Sequence, residues 1–181
     1  SVNAGQGCAL LTRLVVHNSI RKAFVETACA VASQFKIGDP ADPSVAMGPL
    51  IRESQRSKVE NLIAIGRDEG AKIVHGGGRT AGMDKGFFTD ITIFDDVDNS
   101  MTIAQGDSRY GLNGGVETAD AAKGYEMALQ IRSGSVMLNG GTGRMSYAPI
   151  GGYKRSGVGR EYGPDWLHEY QNQKSIFYPV G

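Results

Sequence analysis

Two cysteines are the residues with the clearest capacity for covalent chemistry. Cys8 follows a stretch with two glycines, residues 3–7, and Cys29 lies among the apolar positions of a predicted helix. A thiol attacks as its thiolate, which backbone N–H groups, a helix N-terminus or a nearby cation can stabilise. We expect residues 9–13 to form a short helix whose N-terminus faces the Cys8 sulfur. The residues alone leave a buried, inert Cys8 as the alternative, and they predict a structural role for Cys29.

Glycine is abundant, at 26 of 181 residues, so phosphate-binding patterns have to be tested. Residues 157–163 spell GxGxxxG, one residue longer than the dinucleotide fingerprint, and they do not join a strand to a helix. The pattern GxxxxGK[ST] does not occur in the sequence. We therefore expect no nucleotide to bind at this glycine run.

The remaining candidates for acid–base chemistry are scattered. His17, His75 and His168 are widely spaced and form no local pair with a carboxylate or with Cys8, so we expect surface or strand-end positions for them. A charged cluster in the glycine-rich region is either solvated or orders the surrounding loop; it comprises Lys154, Arg155, Arg160 and Glu161.

Composition excludes several classes of function. Nineteen basic and nineteen acidic residues give no net charge, so neither nucleic acid nor a membrane surface is an expected partner. No stretch approaches the roughly 20 apolar residues of a membrane-spanning helix. Two cysteines without a CxxC pattern argue against a disulfide framework and against a structural zinc site, and no other metal site is predicted. The cysteine usage, with no secretory pattern in residues 1–13, favours a cytoplasmic location.

The elements that must position these residues alternate between helices and strands. Apolar spacing predicts helices over 20–35, 54–69 and 118–132, with Ser19 as the N-cap of the first. Short apolar or β-branched runs predict strands over 13–16, 71–75, 88–94, 135–139 and 174–180. This alternation predicts an α/β fold, a mainly parallel sheet flanked by helices, in a single domain over residues 1–181.

Two segments without helical periodicity have their own predicted roles. The segment 38–49 is punctuated by Pro and Gly and is predicted to be a loop. The glycine-rich stretch 140–163 is predicted to be a long ordered loop, and such loops are often functional. The tail 174–181 is predicted to be an edge strand, because Pro179 lacks the N–H that a central position requires.

Several motifs, in order, resemble the NAD(P)-dependent aldehyde dehydrogenases. The resemblance covers essentially the whole chain. The residues that carry it are Asn3 to Cys8 with Thr12-Arg13, 38–51, 86–88 with 94–97, Met101 to Gln105, 148–163, Leu167, Glu169-Tyr170 and Lys174.

The resemblance implies that Cys8 is the catalytic thiolate. In the family this thiolate attacks an aldehyde to form a thiohemiacetal, hydride passes to NAD(P)⁺, and water hydrolyses the resulting thioester. The backbone N–H of Cys8 would contribute to the oxyanion hole, while Gly7, Ala148 and Ile150 would border the substrate pocket. The stretch 140–163 would then be an active-site loop. Ile150 stands where the family usually has Phe.

The departures from the family pattern concern the cofactor. The family's cofactor-binding domain, oxyanion Asn and general-base Glu all precede the cysteine motif, and this sequence starts just ahead of that motif. After Gln105 the family continues with an acidic stretch, a strand and a helix, whereas here residues 106–112 follow at once. The family tends to have Pro before Thr where this chain has Asp90-Ile91, and nothing in the sequence explains this difference. We therefore expect NAD or NADP to serve the complete enzyme, and no cofactor to bind this chain alone.

Two functions remain open at this stage. The first is the catalytic-domain part of an aldehyde dehydrogenase, with a small aldehyde as substrate. The second is a non-catalytic remnant or minimal domain that folds and self-associates without turnover. In the family the C-terminal tail pairs with a neighbouring subunit, so 174–181 is predicted to be an oligomerisation strand in a homo-oligomer.

Overall fold

The computed structural model describes residues 2–105, 109–140 and 147–178. Whereas the sequence predicts one domain, the chain divides into two compact units, the first unit Ser1–Ser108 and the second unit Arg109–Gly181. The first unit contains α1 (Asn18–Ser33), α2 (Glu53–Asp68), β1 (Lys72–His75), β2 (Ile93–Asp95) and α3 (Thr102–Gln105). The second contains β3 (Tyr110–Gly111), β4 (Asn113–Val116), α4 (Ala121–Gln130), β5 (Ser135–Leu138), β6 (Tyr153–Lys154) and a 3-10 turn (Trp166–Tyr170).

Helix α1 confirms the predicted helix but has a different cap. The Nδ1 atom of His17 accepts a hydrogen bond from the backbone N–H of Ser19 at 3.3 Å, so His17, rather than Ser19, is the N-cap. The apolar face that we expected to be covered by a sheet is largely open, and Ile20 keeps 57% of its surface exposed. Among the described residues of the first unit, the sheet consists of β1 and β2, and β1 contacts α1.

An ionic network ties α1 to that sheet. Arg21 donates through Nε to Asp95 at 3.0 Å and through Nη2 to Asp96, while Lys72 on β1 contacts Asp96 at 2.6 Å. The hydrogen bond from Lys72, followed by that from Arg21, lowers the pKa of the Asp96 carboxyl below its usual value. The network holds α1 beside the β1–β2 ladder.

Helix α2 forms as predicted and contributes buried residues to the core of the first unit. Ile63 is buried, and a Cβ at Gly66 would lie 2.9 Å from Ile103 of α3, so α2 and α3 approach closely at this glycine. Arg56 is buried and donates to the carbonyl of Gly86 at 2.9 Å. Its guanidinium lies 5.5 Å from the ring centroid of Phe87, which fixes the segment before β2.

The strands of the first unit agree only in part with the predictions. β1 confirms the strand predicted over 71–75, and it pairs antiparallel with β2. β2 covers only the end of the predicted strand 88–94. The strand predicted over 13–16 is wrong: the structure has neither helix nor strand there, and Val15 is 95% exposed. A strand needs a partner strand for its backbone hydrogen bonds, and no described strand pairs with residues 13–16.

The segment between α1 and α2 is a loop, as its Pro and Gly content predicts. One isolated bridge, Ile37 to Met47, closes it. Lys36 donates to Asp42 at 2.8 Å, and this bond, with those from Ser44, lowers the pKa of Asp42 to about 2. The loop is thereby fixed by its own side chains.

The second unit is built on a β4–α4–β5 crossover. β4 and β5 pair in parallel, and α4 and β5 confirm the helix and the strand predicted for 118–132 and 135–139. Asp120 caps α4 by accepting a hydrogen bond from the N–H of Lys123 at 3.0 Å. A separate antiparallel pair joins β3 to β6.

The α/β class is confirmed, although among the described strands only β4 and β5 pair in parallel. The predicted C-terminal strand is not confirmed: residues 171–178 carry no helix or strand, and Pro179 with Val180 lies outside the described residues. In the described parts of the chain, no helix combines the length and the apolar character needed to cross a membrane.

Candidate active site

Cys8 lies in the first unit, just after a turn of left-handed backbone. Asn3, Ala4 and Gly5 have φ values of 52°, 53° and 77°, and the N–H of Gln6 closes the turn on the carbonyl of Asn3 at 3.0 Å. The thiol of Cys8 is free and exposed, so the alternative of a buried cysteine is wrong. Cys8 therefore follows the turn with its thiol open to solvent.

The helix predicted over residues 9–13 is also wrong. No helix forms over this segment, so no helix N-terminus faces Cys8 from this side. Leu11 is exposed, so this apolar side chain does not pack the segment against the rest of the unit. Helices shorter than about 12 residues depend on such packing for their stability.

Two side chains hold the segment that carries Cys8, and sequence reasoning gave neither of them this role. Gln6 donates through Nε2 to the carbonyl of Asn3 at 3.1 Å and accepts through Oε1 from the N–H of Ile51 at 3.3 Å. Arg13 donates to the side-chain oxygen of Asn99 at 2.8 Å. In the sequence, both residues belong to the cysteine motif and carry no other signal.

Cys29 lies on α1, as predicted. It is half-buried, and its sulfur is 3.6 Å from the carbonyl oxygen of Val74 on β1. Its position between a helix and a strand is that of a packing residue.

The histidines occupy the peripheral positions predicted for them. His17 caps α1, and His168 lies on the exposed turn Trp166–Tyr170. His75 ends β1, where its ring contacts the carbonyl of Ile91 at 2.7 Å and the hydroxyl of Ser33 at 3.2 Å. None of the described histidine contacts involves Cys8.

The predicted pocket residues are divided between the two units. Gly7 lies in the first unit and is half-buried, whereas Ala148 and Ile150 lie in the second and are half-buried there. Ile150 forms a two-way backbone bridge with Glu161: its N–H donates at 2.7 Å, and its carbonyl accepts at 2.8 Å. This bridge closes the described part of the glycine-rich loop at its base.

Arg160 orders that loop from within. Its guanidinium donates to the carbonyls of Gly159 at 2.7 Å and Gly152 at 3.2 Å, and it lies 5.7 Å from the ring centroid of Tyr153. A Cβ at Gly151 would come within 2.4 Å of the Gly159 carbonyl oxygen, so the loop packs on itself too closely for a side chain there. Within the charged cluster, Arg160 therefore has the loop-ordering role. Residues 141–146 of the loop lie outside the described residues.

The β4–α4–β5 crossover is the described element most similar to a dinucleotide-binding unit, but its chemistry does not fit. A pyrophosphate needs free N–H groups at the helix N-terminus. Here Asp120 already caps α4, and Glu117 accepts from the N–H of Gly140 at 2.9 Å. The carboxylate of Asp120 at this helix N-terminus would repel a pyrophosphate. The described residues also contain no group of three or more His, Cys, Asp or Glu side chains placed to hold a metal ion.

Comparison with known proteins decides the family. A sequence profile described as "Aldehyde dehydrogenase family" matches residues 1–108 and again residues 106–176. The chain belongs to the aldehyde dehydrogenase family. Aldehyde dehydrogenases as a family are oxidoreductases. A betaine aldehyde dehydrogenase of Brucella melitensis is 37% identical over 99% of this chain. The chain spans 42% of the length of that relative.

The same comparison shows where this chain lacks residues that its relatives have. The two profile matches meet at residues 106–108, and the alignment with the Brucella aldehyde dehydrogenase extends over 204 residues although this chain has 181. The relative therefore carries residues for which this chain has no counterpart. This agrees with the internal segment expected to be missing after Gln105.

Solved aldehyde dehydrogenase structures have the same fold over nearly the whole chain. One from Mycobacterium tuberculosis, complexed with NAD⁺, has a TM-score of 0.88 and 40% identity, and it covers 98% of this chain and 41% of its own. A cysteine-to-alanine mutant from Pseudomonas syringae, complexed with NAD⁺ and octanal, has a TM-score of 0.87 and 34% identity; it covers 98% of this chain and 42% of its own.

Proposed function

We propose that this chain supplies the nucleophilic cysteine of an enzyme that oxidises aldehydes to carboxylic acids. The observation that carries the proposal is the exposed thiol of Cys8, directly after the left-handed turn, in a segment that the family profile covers. The thiolate sulfur attacks the aldehyde carbon, the carbonyl oxygen takes up a proton, and a thiohemiacetal forms. Backbone N–H groups beside the cysteine, including its own, would stabilise the developing oxyanion.

We further propose that the substrate is a small aldehyde. Gly7, Ala148 and Ile150 would border it, and 140–163 would be the active-site loop. The octanal in the Pseudomonas syringae structure supports an aldehyde as the class of substrate for the family. Ile150 offers an aliphatic surface, which favours apolar contact with the substrate without aromatic stacking.

The cofactor proposed for the complete enzyme is NAD⁺ or NADP⁺, which supplies the hydride acceptor when bound. NAD⁺ is present in the two solved relatives described above. The carboxylate of Asp120, which caps α4, makes the crossover of this chain a poor site for it. The proposed role of this chain is therefore covalent capture of the aldehyde, with the cofactor held by a different binding surface.

Acylation by an activated ester tests this role without a cofactor. A nucleophilic thiolate attacks p-nitrophenyl acetate, forms an acetyl thioester and releases p-nitrophenolate. We expect release of one equivalent by the natural chain and by a Cys29→Ala variant, and none above background by Cys8→Ala. Mass spectrometry should place the acetyl group on Cys8. Acetylation that is no faster at Cys8 than at Cys29 would contradict the proposal.

The second candidate is a non-catalytic domain that folds and self-associates. The two-part profile match favours it, because a segment present in relatives is missing between the two parts. It predicts a folded chain whose Cys8 reacts with the ester no faster than an ordinary thiol. The acylation experiment therefore separates the two candidates.

A further inference from the structure

The segment that carries Cys8 has little regular structure of its own. Residues 6–17 contain no helix or strand, and Leu11, Leu14 and Val15 are exposed. A nucleophile needs a defined position, since a displacement of about 1 Å can cost about 100-fold in rate. Contacts to more rigid parts of the first unit must therefore supply the position.

Gln6 provides such a contact on the N-terminal side of Cys8. Its amide N–H closes the left-handed turn on the carbonyl of Asn3, and its amide oxygen accepts from Ile51. The chain at Ile51 is itself fixed, because neighbouring Leu50 is buried and donates to the carbonyl of Phe87 at 2.9 Å. Gln6 thus links the turn to the core of the first unit.

Arg13 provides the corresponding contact on the C-terminal side. Its guanidinium donates to the side chain of Asn99 at 2.8 Å and to the carbonyl of Ala104 at 3.4 Å. Ala104 lies in α3 and is buried, so this contact also reaches the core. All of these residues belong to the first unit, as does Cys8.

We propose that Gln6 and Arg13 are positioning residues that hold the Cys8 segment at both ends for attack on the aldehyde. The inference rests on the proposed function, because it assumes that Cys8 is the nucleophile. Neither side chain needs to touch the substrate. Each acts through the backbone of residues 6–13, by restricting where the sulfur can lie.

Saturation kinetics of acylation by p-nitrophenyl acetate provide the test, using the full chain. Gln6→Met keeps the length of the side chain and removes both hydrogen bonds, and Arg13→Met removes the guanidinium. We expect each to lower the maximal acylation rate of Cys8 about five-fold, as expected for the loss of one or two exposed hydrogen bonds. The ester concentration at half saturation should stay within about two-fold, because the binding surface is unchanged. Arg13→Lys should recover part of the rate through a hydrogen bond to Asn99.

Two controls and an internal probe complete the design. Gln34→Met and Lys58→Met make matched changes at exposed positions of the same unit and should leave acylation unchanged. Alkylation of Cys29 by iodoacetamide reports whether the first unit remains folded.

Each outcome has one meaning. Unchanged Cys8 acylation in both Gln6→Met and Arg13→Met would overturn the inference while leaving the proposed function intact. Faster alkylation of Cys29 in the variants would show a general structural role and would also overturn it. Failure of the natural chain to acylate Cys8 preferentially would instead contradict the proposed function.

Discussion

At the scale of single residues, the two thiols of this chain differ in their surroundings. Cys8 is exposed after a turn, whereas Cys29 is half-buried between α1 and β1. A reagent reaches a half-buried thiol less readily than an exposed one. Their reactivities should therefore differ although both belong to the first unit.

Alkylation rates measure this difference directly. With iodoacetamide under native conditions, we expect Cys8 to be modified faster than Cys29, by about 10-fold or more, since access to Cys29 requires local opening. Mass spectrometry of the cysteine-containing peptides gives both rates from one sample. Denaturant serves as the control, because it should make the two rates similar. Equal rates under native conditions would show that Cys29 is not protected.

The turn before Cys8 yields a second prediction at this scale. Gly5 has φ +77°, and a Cβ there would meet no atom within 4 Å, so Gly5→Ala introduces backbone strain without a clash. A non-glycine residue in the left-handed region costs about 1–2 kcal/mol. We expect the turn to shift and the acylation of Cys8 to slow about 10-fold, with little change in Tm. Gly78→Ala is the matched control, since Gly78 has open space and no positive φ. Equal acylation rates would refute a role for this backbone conformation.

At the residue scale, the sequence motif around Cys8 is local and is sufficient to name it as the candidate nucleophile, and its catalytic role stays a prediction. The roles of Gln6 and Arg13 could not be predicted. Their partners Ile51, Asn99 and Ala104 lie far along the chain, and only the folded backbone brings them together. The prediction of the N-cap of α1 was wrong because histidine is not among the residues preferred at that position.

At the scale of elements, local periodicity was sufficient to predict the long helices. It was insufficient to predict isolated strands. The apolar spacing of α1 and α2 repeats over several turns, and both helices form close to the predicted bounds. The runs at 13–16 and 88–92 have the composition of strands but form no ladder in the described structure. A strand depends on a partner that is distant in sequence, so composition alone does not decide its existence.

Gly134 tests the packing of the second unit. A Cβ there would lie 1.6 Å from the carbonyl oxygen of Gly151, a backbone atom that cannot move aside as a side chain can. We expect Gly134→Ala to lower the free energy of unfolding by about 3 kcal/mol or more. Ala122→Gly, at an exposed position of α4, is the comparison variant. We expect it to lower the free energy of unfolding by about 1 kcal/mol.

Urea unfolding followed by tryptophan fluorescence measures both variants. Trp166 is the only tryptophan of the sequence and lies in the second unit, so the signal reports that unit. A Gly134→Ala variant as stable as Ala122→Gly would show that the close approach to Gly151 is readily relieved.

At the scale of the whole molecule, the chain combines a cysteine segment with a crossover unsuited to a dinucleotide. Asp120 caps α4, where a pyrophosphate would need free N–H groups, and Glu117, just after β4, accepts from the N–H of Gly140. Hydride transfer requires the cofactor within about 3–3.5 Å of the reacting carbon. The chain alone should therefore lack turnover even if Cys8 captures aldehydes.

Calorimetric titration with NAD⁺ and NADP⁺ checks this expectation. We expect no saturable heat for either cofactor up to millimolar concentration, and no reduced cofactor in the presence of an aldehyde. The Cys8 acylation assay on the same sample serves as the control that the protein is folded and reactive. Saturable micromolar binding would show that a dinucleotide site exists in this chain.

The C-terminal tail exposes apolar side chains to solvent. Ile176, Phe177 and Tyr178 are 82%, 93% and 83% exposed, and they follow a segment without helix or strand. Three consecutive exposed apolar side chains favour association, and an extended segment can add to the sheet edge of another copy. The oligomerisation strand over 174–181 stays a prediction, which the exposure of these side chains supports.

Sedimentation velocity supplies that test. We expect the full chain to form dimers or larger species at micromolar concentration, and a version ending at Gln173 to be monomeric. A full-length variant with Ile176, Phe177 and Tyr178 all replaced by Ser separates the effect of apolar surface from that of length. It should behave like the truncated chain, because the loss of apolar burial removes the driving force. A full chain that stays monomeric, or association that persists after truncation, would rule out the tail as the contact between copies.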